Sequence, residues 1–320
     1  MRTLLNNSKI KLENLLCPNA LLKINTSIAE NKGRLWCAYR TRRIQELDTA
    51  HYITELNKDI EPINHTKLDA TNENPVFEDV RLFSFQDNLL AFYTYLAGSP
   101  EMGWLWMCAV GMGIIDTQTG RITQQQSFRC YGKRIHEKNW TPVEWNERLF
   151  IITDFAPRIR ILEAMGKPGN FILSECYNAK IETKSWSFGE IRGGTPFVSF
   201  PKQKSDWRYG FVHSVIYDYS KPKLFRTYYY TIARINLSDF TFQYYPDPIG
   251  IWEEENTEEY TRLSKLGSNE NYNMKCVFPM GLVNYDEGVL LSYGKDDCVS
   301  RLKYFSWDFL LSLFSAGNNN

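Results

Sequence analysis

The amino-acid sequence predicts an all-β protein whose strands form a five-bladed β-propeller. Helical periodicity is weak along the 320 residues, while short apolar runs bounded by Gly, Asn, Asp and Pro recur, as is typical of all-β proteins. Tyr, Phe and Trp, which favour strands, make up 15% of the chain. One sequence pattern also occurs five times, and a slow repeat of this kind is typical of propellers.

Each copy of the repeat is a turn with Gly, Asn or Asp, then a short aromatic-rich strand, then a polar residue. A second polar or small-residue motif precedes each copy by roughly 12–17 residues, and the copies are roughly 55–60 residues apart, or nearer 80 before the last. The copies are "KGRLWCAYRTR" ending near Arg40, "QDNLLAFYTY" ending near Tyr95, "NERLFIITDFAP" ending near Asp154, "DWRYGFVHSV" ending at His213 and "DEGVLLSYGKDD" ending near Asp297. The preceding motifs are "CPNA", "FEDVR", "EKNWTP", "RGGTP" and "KCVFPMG". Because the inner strand of every blade points one end at a shared axis, these polar strand ends should converge on one central pocket.

The spacing predicts one domain over residues 1–320, with blades at roughly 15–70, 71–130, 131–185, 186–250 and 270–315. The longer last spacing contains an acidic stretch, residues 252–272, which we interpret as a surface insertion. The apolar segment 307–317 is interpreted as either a closing strand or a terminal amphipathic segment. We expect the "GNNN" tail to be disordered.

Composition excludes several classes of function. Lys plus Arg and Asp plus Glu both number 37, whereas a nucleic-acid binder needs a basic excess for its phosphate contacts. The sequence shows no polybasic patch, no signal peptide and no apolar run long enough to span a bilayer. The seven cysteines and four histidines are scattered without metal-ligand spacing, so we predict a cytoplasmic protein with reduced thiols, no metal and no cofactor. The sequence is compatible with either a monomer or a homo-oligomer.

The motif "FEDVR" places charges at the start of an apolar, alternating strand. Asp79 in it has two interpretations, a turn residue paired with Arg81 or a working acid. Two observations favour the acid: Asp79 opens the second repeat where Lys138 opens the third, and the strand that follows Arg81 carries no other charge.

Three further motifs add polar groups at strand ends. In "EKNWTP", Lys138 and Asn139 place a cation and an amide beside an aromatic side chain. In "RGGTP", Gly193 and Gly194 indicate either a simple hairpin turn or a backbone that needs positive φ or close ligand approach. His213 ends an apolar strand, where a structural histidine is the usual interpretation and its repeat-equivalent position favours a function.

Taken together and in this order, the motifs resemble those of the β-mannoside phosphorylase family (glycoside hydrolase family 130) and its β-1,2-mannosyltransferase relatives. The resemblance covers nearly the whole chain, from "PNALL" and "LWCAYR" through "FEDVRLF", "EKNWTPVEWNERLFII" and "YGFVHSV" to "MKCVFPMGLV" and "GVLLSYGKDD". It implies a five-bladed propeller that acts on mannosides.

The resemblance also implies roles for individual residues. Asp79 matches the family's catalytic acid, which is thought to protonate the glycosidic oxygen through a hydroxyl of the bound mannose. Lys138, His213 and Tyr228 match residues that bind phosphate or the donor. The residues implied to bind sugar are Asn19, Arg40, Glu78, Arg81, Asn139, Trp140 (as a stacking wall), Asp154, Arg192, Gly194, Thr195, Tyr293 and Asp297.

Three features depart from the family pattern. Val80 replaces the proline of the family's "EDPR"-type motif, and "TDFAP" replaces a more basic motif that is usual in bacterial phosphorylases. The remaining phosphate-binding arginine has three candidate counterparts, Arg121, Arg129 and Arg134. These departures concern phosphorolysis more than the fold or the sugar.

Three hypotheses about function follow. The first is an inverting enzyme that moves a mannosyl unit between a phosphorylated donor (mannose 1-phosphate or a nucleotide sugar) and a β-mannoside acceptor, with Asp79 as general acid or base. The second is a hydrolase, in which Glu78, Glu137 or Asp154 would activate water. The third is a glycan-binding propeller without catalysis, although a lectin needs neither Asp79 nor Lys138.

Overall fold

The computed structural model describes residues 10–11, 22–42, 49–70, 77–97, 107–128, 138–181, 186–202, 204–220, 224–250 and 272–315. Several sequence-based expectations therefore lie outside the described residues: Asn19, Arg129, Arg134, Glu137, residues 252–271 of the acidic stretch and the C-terminal tail.

Five separate sheets form the five blades, which confirms the predicted propeller. The chain begins with β1 (Ile10–Lys11), and blade I contains β2 (Leu22–Asn31), β3 (Arg34–Arg42), β4 (Thr49–Leu56) and β5 (Pro62–Lys67). Blade II contains β7 (Phe77–Phe85), β8 (Asn88–Ala97), β9 (Met107–Ile115) and β10 (Arg121–Phe128), with β6 (Asp69–Ala70) parallel to β10. Blade III contains β11 (Thr141–Trp145), β12 (Arg148–Asp154), β13 (Arg158–Lys167) and β14 (Asn170–Lys180).

Blades IV and V complete the ring. Blade IV contains β15 (Val198–Ser199), β16 (Trp207–Asp218), β17 (Leu224–Asn236) and β18 (Phe242–Tyr244), with β19 (Tyr272–Lys275) parallel to β17. Blade V contains β20 (Val277–Tyr285), β21 (Gly288–Lys295) and β22 (Val299–Ser306). Its fourth strand is β1, which pairs with β22 and so joins the two ends of the chain in one sheet.

The cores lie between the blades. Each of five buried apolar clusters draws its residues from two neighbouring blades, from blades I and II around to blades V and I. In the last of these, Ile28 and Tyr39 of blade I pack with Leu290 and Leu302 of blade V. This burial of apolar area between sheets holds the ring together.

Each of the five repeated segments forms the second strand of its blade, namely β3, β8, β12, β16 and β21. In blades I to III and V the predicted turn is the tight hairpin that joins the inner strand to this second strand. Residues with positive φ occupy these turns, for example Lys32, Asp87 and Asn146, as two-residue hairpins require.

A helix ends the described chain. The segment interpreted as a closing strand or an amphipathic segment is α1 (Trp307–Ser315), so the strand alternative is wrong. Trp307, Leu310 and Phe314 are its buried residues and pack into the cluster between blades IV and V. In the described part of the chain, no helix combines the length and the apolar character needed to cross a membrane.

Candidate active site

Polar side chains from all five blades meet at one end of the ring, where the inner strands begin and the second strands end. Asn25 of blade I donates from Nδ2 to Oδ1 of Asp79 in blade II, at 2.6 Å. Arg81 of blade II donates to Oδ1 of Asn139, just before blade III, at 2.9 Å, and to the carbonyl of Gly194, just before blade IV, at 2.8 Å. Asp297 of blade V follows β21, and it belongs to the same group because its charge raises the pKa of Arg40 in blade I. The expected convergence of polar strand ends is therefore observed in the described residues.

Five polar residues at this end of the ring have a left-handed backbone, among them Asp296 with a φ of 52°. The other φ angles are 53° for Asn25, 56° for Asp79, 62° for Asn139 and 48° for Asp297. Asn and Asp tolerate this conformation best after glycine. The ladder shifts register around Asn25 and around Asp79, which marks β-bulges in β2 and β7. Bulges of this kind re-aim side chains next to active sites, and strained backbone is concentrated there.

Asp79 is the acid at the centre of this group. Burial alone would raise the pKa of its carboxyl group, but Arg40, Arg81, the hydrogen bond from Asn25 and Lys138 together hold that pKa below its ordinary value. The carboxylate is therefore ionised at neutral pH. The ionised carboxylate has a free position for a proton, and the surrounding cations stabilise this ionised form.

Glu78 connects two of the cations beside Asp79. Its Oε2 accepts from Nη1 of Arg40 at 3.1 Å, and its Oε1 accepts from Nζ of Lys138 at 2.7 Å. Burial lowers the pKa of Arg40, but the charges of Asp79, Asp297 and Glu78 outweigh that effect and raise it. Glu78 thus fixes the positions of two positive charges around the acid.

Arg81 is the most deeply buried of the site cations, with 2% of its surface exposed. Burial lowers the pKa of its guanidinium to about 10, and this effect outweighs the charge of Asp79, which acts in the opposite direction. Its guanidinium also lies 5.4 Å from the ring centroid of Phe278. Because its hydrogen bonds reach Asn139 and Gly194, Arg81 joins three blades as well as balancing Asp79.

Asp297 differs from Asp79 in its charge balance. Burial raises the pKa of its carboxyl group, and the nearby Asp79, Glu78 and Asp296 raise it further, against the lowering effect of Arg40. Two carboxyl groups that share one arginine thus have pKa values shifted in opposite directions. This separation is typical of sites in which one group holds a proton that the other has lost.

His213 and Tyr228 form a neutral wall on blade IV. His213 is 2% exposed, and burial, with Arg81 and Arg192, lowers the pKa of its imidazole to about 3. Burial also raises the pKa of the Tyr228 phenol. The two rings are stacked, with centroids 6.2 Å apart, and Phe278 packs edge-on to His213 at 4.7 Å. His213 was expected to stabilise phosphate charge, but a neutral imidazole brings no charge of its own.

A cleft of about 210 Å³ opens beside this group, between blades III and IV. Two cations line it, Lys138 and Arg192, together with the carboxylate of Asp154. Arg192 also forms an ion pair with Glu190 at 3.3 Å. The complete lining is Lys138, Asn139, Thr153, Asp154, Phe155, Ala156, Ile191, Arg192 and Gly193.

Three residues that were expected to bind sugar lie in the core instead. Trp140 is 2% exposed and stacks on Phe128 between blades II and III. Thr195 is fully buried, where its Oγ1 donates to the Pro196 carbonyl and accepts from the Phe211 backbone N–H. Tyr293 is 4% exposed in the cluster between blades IV and V. We therefore assign these three side chains to packing.

The two glycines of "RGGTP" serve close backbone packing rather than positive φ. A Cβ on Gly193 would lie 2.0 Å from the Asn139 carbonyl oxygen, and one on Gly194 would lie 2.3 Å from the Phe211 carbonyl oxygen. Neither glycine is among those with positive φ. Glycine is needed here because neighbouring backbone comes too close for any side chain.

Of the three arginine candidates for the phosphate site, Arg121 lies among the described residues. Arg121 is exposed on β10, which is separated from the inner strand β7 by β8 and β9, and it is not among the residues that line the cleft. Arg192, which the sequence suggested only as a sugar ligand, lines the cleft beside Lys138.

Two site residues were missed by sequence reasoning. Asn25 lies in "INTS", a polar run inside an otherwise buried strand, and this run was the available signal. His51 lies directly opposite Arg40 in the β3–β4 ladder and stacks on Phe77 at 4.1 Å. Burial, with Arg40, lowers the pKa of His51 to about 3, so it too is neutral. Among the described residues, no group of three or more His, Cys, Asp or Glu is placed to hold a metal ion.

No protein-family model matches the chain, and no curated protein is similar to it in sequence. Solved structures are similar to it in fold. The β-1,2-mannobiose phosphorylase from Listeria innocua, in complex with β-1,2-mannobiose, is 12% identical, with a TM-score of 0.62 over 96% of this chain and 99% of that one. The GDP-Man-dependent mannosyltransferase MPT-1 from Leishmania mexicana is 14% identical, with a TM-score of 0.58 over 92% of this chain and 88% of that one.

A third similar structure comes from work on the GH130 family of mannoside phosphorylases, described as containing glycoside hydrolases that target β-1,2 mannosidic linkages in Candida mannan. It is 12% identical, with a TM-score of 0.60 over 90% of this chain and 85% of that one. The chain therefore has the five-bladed propeller fold that these mannoside-active proteins share.

Proposed function

We propose that the chain is a divergent member of glycoside hydrolase family 130 and an inverting enzyme that transfers mannosyl units. It moves a mannosyl unit between a phosphorylated donor, either mannose 1-phosphate or a nucleotide sugar, and a β-mannoside acceptor. One observation carries the proposal: Asp79 is held ionised, on a strained and bulged backbone, among Arg40, Arg81 and Lys138.

In the proposed reaction Asp79 is the general acid or base. The ionised state of its carboxyl group fits the synthetic direction, in which a base removes the proton of the acceptor hydroxyl as that oxygen attacks the anomeric carbon. The phosphate of the donor leaves from the opposite face of the sugar, so the configuration inverts. In the reverse direction Asp79 returns the proton to the glycosidic oxygen.

The donor phosphate needs positive charge, and the cleft between blades III and IV supplies it. Lys138 and Arg192 line this cleft, together with the amide of Asn139. Cations in a partly water-excluded cleft stabilise the charge that develops on a leaving phosphate. We assign the phosphate to Lys138 and Arg192. His213 and Tyr228, which the resemblance implied as phosphate or donor ligands, form a neutral wall against Phe278 of blade V instead.

The reacting sugar then lies between Asp79 and the cleft. Arg40 and Glu78 on one side and Asp297 on the other offer donors and acceptors for its hydroxyl groups. Arg40 and Glu78 are fixed by their mutual ion pair, so they can orient a sugar with little loss of side-chain freedom.

Hydrolysis is the second candidate, and Asp154 is the observation that favours it. A hydrolase needs a carboxylate to activate water, and Asp154 lines the same cleft as Lys138. Glu78 fits this role less well because both of its oxygens accept from cations.

A donor screen tests the proposal. Mannose 1-phosphate and GDP-mannose are each offered with β-1,2-linked manno-oligosaccharides, and the products are read by mass. We expect an acceptor lengthened by one mannose with one of the donors.

The reverse reaction, on mannobiose with and without phosphate, separates the candidates: release of free mannose that is independent of phosphate indicates hydrolysis. Calorimetric binding of the oligosaccharide without any product, under every donor, would instead indicate a lectin.

A further inference from the structure

The β16–β17 hairpin reaches beyond the end of the ring at which the site lies. β16 continues for five residues after His213, as far as Asp218, whereas β12 ends at its own site residue, Asp154. Five residues of strand extend by about 16 Å. We call residues 214–218 of β16 and 224–227 of β17, with the turn residue Tyr219, the hairpin extension.

The hairpin extension is braced rather than free. β17 pairs with β16 from Phe225 to Asn236, and residues 224–227 pair with β19 on the other side. Its first part is therefore a three-stranded sheet. A wall of this kind can hold side chains in fixed positions, which a loop cannot do as well.

One face of the hairpin extension continues the His213 wall outward. Residues opposite each other in the ladder share a face, and here the pairs are His213 with Tyr230, Val215 with Tyr228 and Tyr217 with Arg226. The guanidinium of Arg226 lies 5.6 Å from the ring centroid of Tyr217.

Farther from the site, the ring of Tyr217 packs on that of Tyr219. The two rings have centroids 6.1 Å apart and planes at 21° to each other. Tyr219 is 78% exposed. We call Tyr228, Tyr217 and Tyr219 the tyrosine ladder, since they lead in that order from the site to solvent.

The direction of this face distinguishes between two ligands. The tyrosine ladder faces blade V, because His213 and Tyr228 both pack on Phe278. The cations that would hold phosphate line the cleft on the other side of blade IV, toward blade III. A nucleobase attached to that phosphate would therefore lie away from the ladder. In an inverting reaction the acceptor attacks from the side opposite the leaving phosphate, so it would extend toward the ladder.

We propose that the tyrosine ladder is a distal subsite for the acceptor, which binds the sugar units beyond the one that reacts. This inference rests on the proposed function. The C–H face of a sugar ring packs on an aromatic ring, and successive rings suit successive sugars of an oligosaccharide. Arg226 adds donors for hydroxyl groups at the edge of the sugar.

The test measures binding as a function of acceptor length. Titration calorimetry of the Asp79→Asn protein, in which turnover is blocked, uses β-1,2-linked mannobiose, mannotriose and mannotetraose. In this background, Tyr219→Ala and Tyr217→Ala should weaken mannotetraose binding about tenfold and leave mannobiose binding unchanged. Ile216→Ala is the matched control, since Ile216 is 37% exposed on the opposite face of the same strand.

Several outcomes contradict the proposal: an equal loss for all three oligosaccharides, no loss for any, no binding by the parent protein, or a loss of GDP binding in place of oligosaccharide binding. Tyr219→Ala removes an exposed ring from a turn, so a failure to fold cannot explain its result. Length-dependent binding that is lost in Tyr219→Ala, together with no turnover from any donor, would support the subsite and refute the transferase.

Discussion

The two sides of the site treat charge in opposite ways. On the side of blades I and II, the charges of Arg40 and Asp79 stabilise each other, and Arg40 forms an ion pair with Glu78. On blade IV, His213 is buried and neutral, because burial, together with the charges of Arg81 and Arg192, outweighs the effect of Asp79 on its pKa. Burial alone therefore does not decide ionisation in this molecule. The side that keeps its charges is the side that can move a proton, and the neutral side is suited to shape and stacking.

Replacing Asp79 on the charged side of the site should have the largest effect on activity. Asp79→Asn keeps the shape of the side chain but removes the base, so we expect turnover to fall by about 10²–10⁴-fold. Steady-state kinetics with the donor found in the screen provide the measurement. Asp87→Asn is the matched control, because Asp87 also has positive φ in blade II but lies in the hairpin turn at the other end of β7.

The fold of the two Asp variants is compared by thermal unfolding. Full activity in Asp79→Asn, or an equal loss in Asp87→Asn, would remove Asp79 from the proposed mechanism. A loss confined to Asp79→Asn with an unchanged unfolding transition would support it.

Arg81 joins the two sides, and its removal should destabilise the fold. Arg81→Leu leaves Asp79 with one cation fewer and removes the donors to Asn139 and Gly194, so we expect a loss of about 3–5 kcal/mol in the free energy of unfolding. Urea denaturation measures this loss. The control is Arg34→Leu, whose ion pair with Glu55 is exposed and should contribute no more than about 1 kcal/mol. Similar values for both variants would mean that Arg81 does not link the blades.

The ring of blades could be predicted because its signals are local. Each repeated segment contains its own turn and its own aromatic strand, and each became the second strand of a blade. The grouping of Asp79 with Lys138 was also predictable, since both precede equivalent strands, and the two are now connected through Glu78.

The direction of single side chains could not be predicted in the same way. A shift of one residue turns a strand side chain from one face to the other, and the bulges around Asn25 and Asp79 have no clear sequence signal. For this reason Trp140 and Tyr293 were expected at the site but lie in the core. The hydrogen bond from Asn25 to Asp79 joins residues 54 positions apart, and one sequence carries no signal for such a pairing.

The neutral histidines should make the protein sensitive to acid. Their pKa values in the folded state are about 3, against an ordinary value of 6.5. Between these two values the unfolded chain binds more protons, so the free energy of unfolding falls as the pH is lowered from about 6.5 to about 3, and neither histidine contributes further below that. Each one contributes a slope of up to about 1.4 kcal/mol per pH unit.

His51→Phe keeps the stacking on Phe77 and removes the titrating group, so urea denaturation across this range should give a shallower slope than in the parent protein. His65→Gln, on the exposed strand β5, should change the slope less, because solvent screens an exposed imidazole. An unchanged slope in His51→Phe would show that the pKa of His51 is not lowered in the folded protein, and the assignment of a neutral imidazole opposite Arg40 would then fail.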